Sequence, residues 1–249
     1  MLGLPDHVTA CLFDLDGVLT QTARVHNAAW TEVFDEVLRD WAADHGEPFR
    51  PFDPADDYNS YVDGRPRADG VRTFLASRDI VLPDGAPDDP PTALTVHGVG
   101  NRKNELLLRL IRERGVDVYP GSVRYLHAAR DAGLRRAVVS ASANCREVLA
   151  AAGLEDLVEV RVDGQLAAAE SLRGKPYPDT FLAGAARLGV PAAQAVVFED
   201  AVAGVEAGRA GDFGFVVGVD RVGHADDLRR HGASIVVRDL AELLDRVGS

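Results

Sequence analysis

The chain has 249 residues, of which 46% are hydrophobic and 27% are charged, and its formal net charge at pH 7 is −12. This length allows one hydrophobic core, or one core with a smaller second domain. The acidic balance argues against general binding to nucleic acid or to an anionic membrane, because phosphate groups repel a negative surface. It does not exclude a small phosphorylated substrate, which a local group of Lys and Arg side chains can hold.

The two cysteines, the N-terminal segment and the length of the apolar runs bear on the cellular location. Cys11 and Cys145 are the only cysteines, and their spacing fits neither a metal site nor a redox pair. The segment Met1–His7 lacks the basic and apolar regions of a signal peptide, and no apolar run reaches membrane-spanning length. We therefore expect a cytoplasmic protein with no membrane partner, and we expect it to be a monomer.

The first predicted element is a strand over Val8–Phe13, an apolar run that ends directly before Asp14 and Asp16. Side chains two positions apart on an extended strand point the same way, so these carboxylates share a small volume. Two such anions repel each other unless a cation or a shared proton lies between them. The spacing favours a divalent cation such as Mg2+, which prefers oxygen ligands and commonly holds a substrate phosphate. The alternative is an ordinary Asp- and Gly-rich turn.

Residues 21–116 form a predicted helical insertion directly after the Asp pair. Apolar residues recur every three to four positions from Val25 to Trp41, as in an amphipathic helix. The same periodicity predicts a second helix over Asn101–Gly115, and Pro83–Pro91 is a Pro-, Asp- and Gly-rich loop between the two.

The start of that second helix carries a further prediction. Asn101 is a suitable N-cap residue, which would place Arg102 and Lys103 in the first helical turn. Cations at that position oppose the helix dipole. A role in substrate contact would account for the conflict at Lys103, although a solvated charge there costs little.

After residue 116, short apolar strands alternate with amphipathic helices. The predicted strands are 137–140, 158–162, 195–198, 213–219 and 234–237, and the predicted helices are 122–132, 145–152, 179–188 and 202–210. This alternation indicates a parallel sheet with helices on both faces. The predicted fold is thus α/β, with a Rossmann-like doubly wound core (1–20 and 117–249) and an inserted helical cap domain (21–116).

Polar side chains lie at the carboxyl ends of three of the predicted strands. They are Asp14 with Asp16, then Ser140, then Glu199 with Asp200. In an open parallel sheet, ligands bind outside these carboxyl ends. A lysine in a rigid turn, Lys175 of Arg173–Pro178, lies between the last two strands in the sequence. Carboxylates, a hydroxyl and an ammonium are the groups that phosphoryl transfer requires.

In this order, the residues resemble the four motifs of the haloacid dehalogenase superfamily. The matching positions are Asp14-Leu15-Asp16-Gly17, Ser140, Lys175 and Glu199-Asp200. The resemblance covers essentially the whole chain and is greatest to the β-phosphoglucomutase-like subgroup, whose helical cap follows the first motif. The segments Phe13–Trp30, Ser140–Asn144 and Gly174–Asp179 also support it.

The resemblance implies a role for each core residue. Asp14 would be the nucleophile that becomes an aspartyl phosphate, and Asp16 would be the general acid and base. Mg2+ would be held by the Asp14 carboxylate, the main-chain carbonyl of Asp16 and Asp200, with Glu199 in or beside the ligand shell.

The resemblance also implies the residues that bind the substrate. The transferring phosphate would be bound by Ser140, Asn144 and Lys175, and the cap would contribute His26, Trp30, Arg67 and Lys103. Arg67 would bind the non-reacting phosphate through its forked donors, although Arg65 is an alternative for that role. The alternative for these cap residues is a purely structural place, because a lone helical His or a surface Arg is often only packed or solvated.

Some positions depart from the family pattern. Gln21 stands where many relatives have an acidic residue, and Asp63 stands where a lysine occurs in the mutase pattern. These departures leave the catalytic core intact and bear on substrate choice.

The expected activity is that of a sugar-phosphate mutase, interconverting β-D-glucose 1-phosphate and glucose 6-phosphate through a glucose 1,6-bisphosphate intermediate. The alternative is a sugar-phosphate phosphatase with the same aspartyl phosphate, in which water is the acceptor. A non-catalytic phospho-ligand sensor would not need a competent nucleophile, and halide removal from organic acids would not explain Asp16 or the carboxylate cluster.

Overall fold

The computed structural model describes residues 2–245, which form two compact units. The core unit runs from the start of the chain to Gln21 and again from Val116 onward, and the inserted unit is Thr22–Gly115. Each junction lies one residue from the predicted domain boundary. None of the helices in the described part of the chain combines the length and the apolar character needed to cross a bilayer.

The core unit is built on one six-stranded sheet in the order β3-β2-β1-β4-β5-β6, in which every neighbouring pair is parallel. The strands are β1 Ala10–Phe13, β2 Arg135–Val139, β3 Val160–Val162, β4 Ala195–Glu199, β5 Phe215–Val219 and β6 Ile235–Val237. This order, with the switch between β1 and β4, is that of a doubly wound sheet, and the predicted fold class is confirmed.

Seven helices belong to the described residues of the core unit. They are α4 Pro120–Asp131, α5 Cys145–Ala151, α6 Gly164–Ala169, α7 Asp179–Leu188, α8 Val202–Ala210, α9 Ala225–His231 and α10 Ala241–Asp245. The bounds predicted for α7 and α8 agree with the structure, whereas α6, α9 and α10 were not part of the prediction. These three are short, and short helices carry little periodic signal.

The central strands are buried on both faces, which explains why their sequences are continuously apolar. Leu12 of β1 packs into a cluster with Phe181 of α7 and Val205 of α8. Its neighbour Phe13 points to the opposite face, where its ring stacks on Phe198 at 4.6 Å between centroids. Tyr125 of α4 covers both rings edge-on. Helices therefore bury apolar side chains against each face of the sheet.

The inserted unit consists of α1 Thr22–His45, α2 Arg67–Ala76, α3 Val96–Arg114 and a single π-helical turn over Tyr58–Val62. Its centre is aromatic: Phe34 packs against Phe74 at 4.3 Å and against Phe52 at 5.2 Å between ring centroids. All three rings are buried. The unit therefore has a hydrophobic core of its own.

The prediction of Asn101 as an N-cap was wrong. Helix α3 begins at Val96, and its N-cap is Thr95, whose Oγ1 accepts a hydrogen bond from the Gly98 backbone N–H at 3.0 Å. Asn101 instead donates its side-chain amide to the carbonyls of Pro87 and Asp89. Lys103 thus lies beyond the first turn, where the dipole of the helix N-terminus no longer acts on it, and that argument for its role fails.

Candidate active site

The carboxyl ends of three adjacent strands carry the predicted core residues. Phe13 is in register with Val138 on one side and with Phe198 on the other. The backbone N–H of Asp14 donates to the Phe198 carbonyl at 2.9 Å, which extends the alignment by one residue. Asp14 therefore lies level with Glu199, and Ser140 and Asp200 follow one residue later on their own strands.

A buried ion cluster joins Lys175 to two of these carboxylates. Lys175 Nζ donates to Asp14 Oδ1 at 2.5 Å and also pairs with Glu199 Oε1. Lys175 is 3% exposed, Asp14 6% and Glu199 0%. The second oxygen of Glu199 accepts the backbone N–H of Ala201 at 3.0 Å. Glu199 is therefore fixed at both oxygens and in turn fixes the ammonium beside Asp14.

Charge and burial act in opposite directions within this cluster. Burial raises the pKa of the Asp14 carboxyl well above its ordinary value although Lys175 lowers it, and the nearby Glu199 and Asp16 carboxylates add to the rise. Burial alone would lower the pKa of Lys175, but the Asp14 and Glu199 carboxylates outweigh it and raise that pKa. The Lys175 ammonium therefore stays charged, whereas burial disfavours the negative charge of the Asp14 carboxylate.

The donor set around Asp14 is suited to a hard divalent cation. Asp14, Glu199 and Asp200 are all buried, and each offers a carboxylate oxygen within 4.8 Å of those of the other two. Three carboxylates against one ammonium leave an excess of buried negative charge. Oxygen-only ligands of this kind fit Mg2+ rather than a softer metal.

Asp16 and the residues after β2 lie beside this cluster. Ser140 Oγ is 3.4 Å from Asp16 Oδ2, at the long end of a hydrogen bond. The same hydroxyl accepts the backbone N–H of Ser142 at 3.0 Å, and Ser142 Oγ accepts the N–H of Asn144. Asn144 is buried at the start of α5. The structure thus brings Asp14, Asp16, Ser140, Lys175, Glu199 and Asp200 together at one edge of the sheet, with Asn144 in the turn that follows Ser140.

Three of the residues predicted in the insertion also come together. Lys103 is 4% exposed, its Nζ lies 3.0 Å from His26 Nδ1, and it sits 5.1 Å from the centroid of the Trp30 ring. An ammonium only donates, so His26 Nδ1 is the acceptor in this contact and the ring proton is on Nε2.

Arg67 does not share that cluster but contacts the same helix, α3. A Cβ added at Gly100 would lie 3.2 Å from Arg67 Cγ. The aliphatic part of the arginine therefore packs directly against the backbone of α3 at Gly100. Arg67 is partly buried, and burial lowers the pKa of its guanidinium.

Two residues near the acidic cluster were not predicted from the sequence. Arg221 donates to the Gly17 carbonyl at 2.8 Å, and His224 Nε2 contacts the Asp200 carbonyl at 2.9 Å. Both follow β5 by a few residues. The only available signal was their place after the carboxyl end of a predicted strand, and neither belongs to a recognised motif.

The comparisons with known proteins agree with this geometry. A model of the haloacid dehalogenase-like hydrolase family matches residues 8–212. A β-phosphoglucomutase of Mycobacterium bovis is 58% identical over 98% of this chain and 94% of its own length.

More distant relatives carry the same name. A β-phosphoglucomutase of Bacillus subtilis is 30% identical over 94% of this chain and 91% of its own length. The crystal structure of a β-phosphoglucomutase from Clostridium difficile superposes with a TM-score of 0.73 at 26% identity, covering 95% of this chain and 93% of that one. The chain therefore belongs to the haloacid dehalogenase-like hydrolase family and, within it, to the β-phosphoglucomutase-like subgroup.

Proposed function

We propose that this protein is a β-phosphoglucomutase that interconverts β-D-glucose 1-phosphate and glucose 6-phosphate. The observation that carries the proposal is the buried Asp14 carboxylate beside Lys175 and Asp200, in a chain 58% identical to a protein of that name. A nucleophile held next to a cation and two further carboxylates is suited to phosphoryl transfer through a covalent aspartyl phosphate.

The reaction starts from the phosphorylated form of Asp14. The 6-hydroxyl of β-glucose 1-phosphate attacks the phosphorus, the bond from phosphorus to the Asp14 oxygen breaks, and Asp16 takes the hydroxyl proton. The product is glucose 1,6-bisphosphate, which then binds in the opposite orientation. Asp14 attacks its 1-phosphate, the bond to the sugar O1 breaks, and Asp16 returns the proton to O1. Glucose 6-phosphate leaves and Asp14 is phosphorylated again.

Asp14, the backbone carbonyl of Asp16, and Asp200 would hold Mg2+, with Glu199 in or beside the ligand shell. When bound, the ion supplies positive charge against the oxygens of the transferring phosphoryl group. The excess negative charge of the buried cluster and the raised pKa of Asp14 both support such a site.

Lys175, Ser140 and Asn144 would bind the transferring phosphate. Lys175 is already a fixed cation beside Asp14, so it needs no rearrangement to neutralise the phosphoryl charge. The Ser140 hydroxyl and the Asn144 side-chain amide, both buried after β2, would supply neutral donors.

Arg67 would bind the phosphate that does not react. No carboxylate among the described side chains pairs with its guanidinium, and burial alone accounts for its lowered pKa. A phosphate would supply the counter-charge that this partly buried guanidinium lacks, and it would accept bidentate hydrogen bonds from it. Lys103, held by His26 and Trp30, would contact the sugar.

A phosphatase with the same aspartyl phosphate is the second candidate, and the hydrolase description of the matching family favours it. In that reaction, water attacks phospho-Asp14 and inorganic phosphate leaves.

Isotope transfer tests the proposal. Wild-type protein with Mg2+ and glucose 1,6-bisphosphate labelled with 32P should retain acid-stable label at Asp14, and unlabelled β-glucose 1-phosphate should remove that label into sugar phosphate. Asp14→Asn should retain none. Release of the label as inorganic phosphate alone would reject the mutase in favour of the phosphatase.

We also propose that the protein is a cytoplasmic monomer. Cys11 and Cys145 are both free and buried, and burial raises the pKa of each thiol, which fits a reducing compartment.

A further inference from the structure

The segment Asp220–His224, which we call the β5 loop, touches both acidic strand ends of the core unit. Arg221 Nε donates to the Gly17 carbonyl at 2.8 Å, and its Nη2 lies 3.2 Å from the Val18 carbonyl. His224 Nε2 lies 2.9 Å from the Asp200 carbonyl. A carbonyl only accepts, so this nitrogen carries the ring proton. One short loop thus binds the backbone after the nucleophile and the backbone of a candidate metal ligand.

The two backbone segments that the loop binds are themselves in close contact. Gly17 has a φ of +93°, and a Cβ built on it would lie 1.7 Å from Asp200 Oδ2. The Asp200 carboxylate therefore rests directly against the Gly17 backbone. A small shift of either segment would change the distance between the carboxylates of Asp14 and Asp200.

Arg221 is firmly held on its other side. Its guanidinium lies 3.5 Å from the centroid of the Tyr119 ring and donates to the Arg238 carbonyl and to Ser122 Oγ. The side chain is only 12% exposed. These contacts join Arg221 to the start of α4 and to the residue after β6. A shift of either segment would therefore move the group that binds the Gly17 carbonyl.

The loop is also ordered by its own first residue. Asp220 Oδ1 accepts the backbone N–H groups of Gly223 at 2.6 Å and of His224 at 2.9 Å. Its backbone N–H donates to Val237 of β6. Burial raises the pKa of Asp220, but these backbone N–H donors outweigh it and hold the pKa below its ordinary value. The carboxylate therefore fixes the loop that presents Arg221 and His224.

We propose that the β5 loop positions the divalent-cation ligands: Arg221 and His224 hold the Gly17 turn and Asp200 at the separation that the ion requires. The inference rests on the proposed function in that it assigns Arg221 and His224 as positioning residues for its metal site. The Arg221 guanidinium has no lone pair for a cation, and His224 is not among the three clustered candidate ligands. Residues of this kind behind metal ligands typically change metal affinity by about 10–100-fold when they are removed.

Direct titration with Mn2+, followed by the EPR signal of the free ion, tests the proposal without any turnover. Arg221→Met keeps the side-chain stem and removes the donors, and His224→Leu removes the ring donor at similar size. Each should raise the Mn2+ dissociation constant about tenfold or more. His224→Gln, whose amide N–H can reach the same carbonyl, should recover most of the loss.

Arg136 provides the matched control. It is also 12% exposed and also donates to two backbone carbonyls, those of Leu157 and Leu134, but it lies at the opposite end of the sheet, where β2 begins. Arg136→Met should lower thermal stability as Arg221→Met does, yet leave the Mn2+ dissociation constant unchanged.

The outcomes separate this proposal from the assigned reaction. Wild-type Mn2+ affinity in folded Arg221→Met and His224→Leu would overturn it, and so would an equal loss of affinity in Arg136→Met or a wild-type protein that binds no Mn2+. If the affinities change as expected while wild-type protein makes no glucose 6-phosphate, the positioning role stands and the mutase assignment fails.

Discussion

Lys175 Nζ lies 2.5 Å from Asp14 Oδ1, and the lysine is buried, with only 3% of its surface exposed. The same ammonium pairs with Glu199, whose other oxygen is held by a backbone N–H. The lysine therefore balances the charge of the buried carboxylates, and in the proposed reaction it would also neutralise the oxygens of the transferring phosphate.

Removal of this lysine should destabilise the protein strongly in the absence of metal. In Lys175→Met, the buried Asp14 and Glu199 carboxylates lose their counter-charge, and breaking such a pair costs about 3–5 kcal/mol. The free energy of unfolding, measured by urea titration in EDTA, should fall by that amount. The double variant Lys175→Met with Glu199→Gln should recover part of it.

Arg187 supplies the control for this measurement. It forms an ion pair with Glu170 in which both side chains are at least one-third exposed. Arg187→Met should change the free energy of unfolding by no more than about 1 kcal/mol. An equally small effect of Lys175→Met would mean that the buried cluster is not charged as described.

Substitution of Asp16 should remove proton transfer and leave the fold intact. Asp16 is not one of the two carboxylates shown to pair with Lys175, and Ser140 Oγ lies 3.4 Å from its carboxylate. In Asp16→Ala, kcat should fall by about 10²–10⁴-fold, the usual contribution of a general acid or base. Circular dichroism should match that of the wild-type protein. Wild-type turnover in this variant would end the acid/base assignment.

A methyl group at Gly17 should disturb metal binding more than it disturbs folding. In Gly17→Ala, the new Cβ would overlap the Asp200 carboxylate and push it away, so the Mg2+ concentration that gives half-maximal activity should rise by at least about tenfold. Gly153→Ala is the control, because Gly153 also has positive φ, of 67°, but has open space where a Cβ would stand. An unchanged Mg2+ requirement in Gly17→Ala would contradict the described contact.

Arg67 and Arg65 can be distinguished by their effects on KM. Loss of charge-assisted hydrogen bonds to a phosphate costs about 1.5–3 kcal/mol, so Arg67→Ala should raise the KM for β-glucose 1-phosphate by about 10–100-fold. Arg65→Ala should leave it within about twofold if Arg67 is the phosphate ligand. A raised KM in Arg65→Ala with an unchanged KM in Arg67→Ala would instead identify Arg65 as the ligand of the non-reacting phosphate.

The core residues were predictable because of how a parallel sheet collects strand ends. Asp14, Ser140 and Glu199 each lie at the end of an apolar run that predicts a strand, and all parallel strands end at one edge of the sheet. The strands that carry them, β2, β1 and β4, are neighbours in the sheet, which brings these residues together. Their chemistry could therefore be inferred before their distances were known.

The first turns of α3 could not be predicted because they contain two glycines. Gly98 and Gly100 lie in its first turns, and glycine disfavours a helix by about 1 kcal/mol relative to alanine. Tertiary contacts explain their presence: a Cβ at Gly98 would lie 2.3 Å from the Ala93 carbonyl, and Gly100 accommodates Arg67. Packing of this kind leaves no periodic signal in the sequence.

The roles of Arg221 and His224 depend on strand order rather than on pattern. Arg221 is 204 positions from Gly17 in the chain, and the two meet because β1, β4 and β5 lie side by side. Apolar runs in the sequence identify the strands but not their order in the sheet. Contacts between residues on strands that are distant in the sequence therefore cannot be predicted from these runs.

The mutase assignment is tested most directly by following two products in one reaction. Purified protein is mixed with Mg2+, β-glucose 1-phosphate and a trace of glucose 1,6-bisphosphate to phosphorylate Asp14, and glucose 6-phosphate and inorganic phosphate are both measured over time. Glucose 6-phosphate should accumulate with little inorganic phosphate, and Asp14→Asn should form neither. Release of inorganic phosphate without glucose 6-phosphate would contradict the assignment.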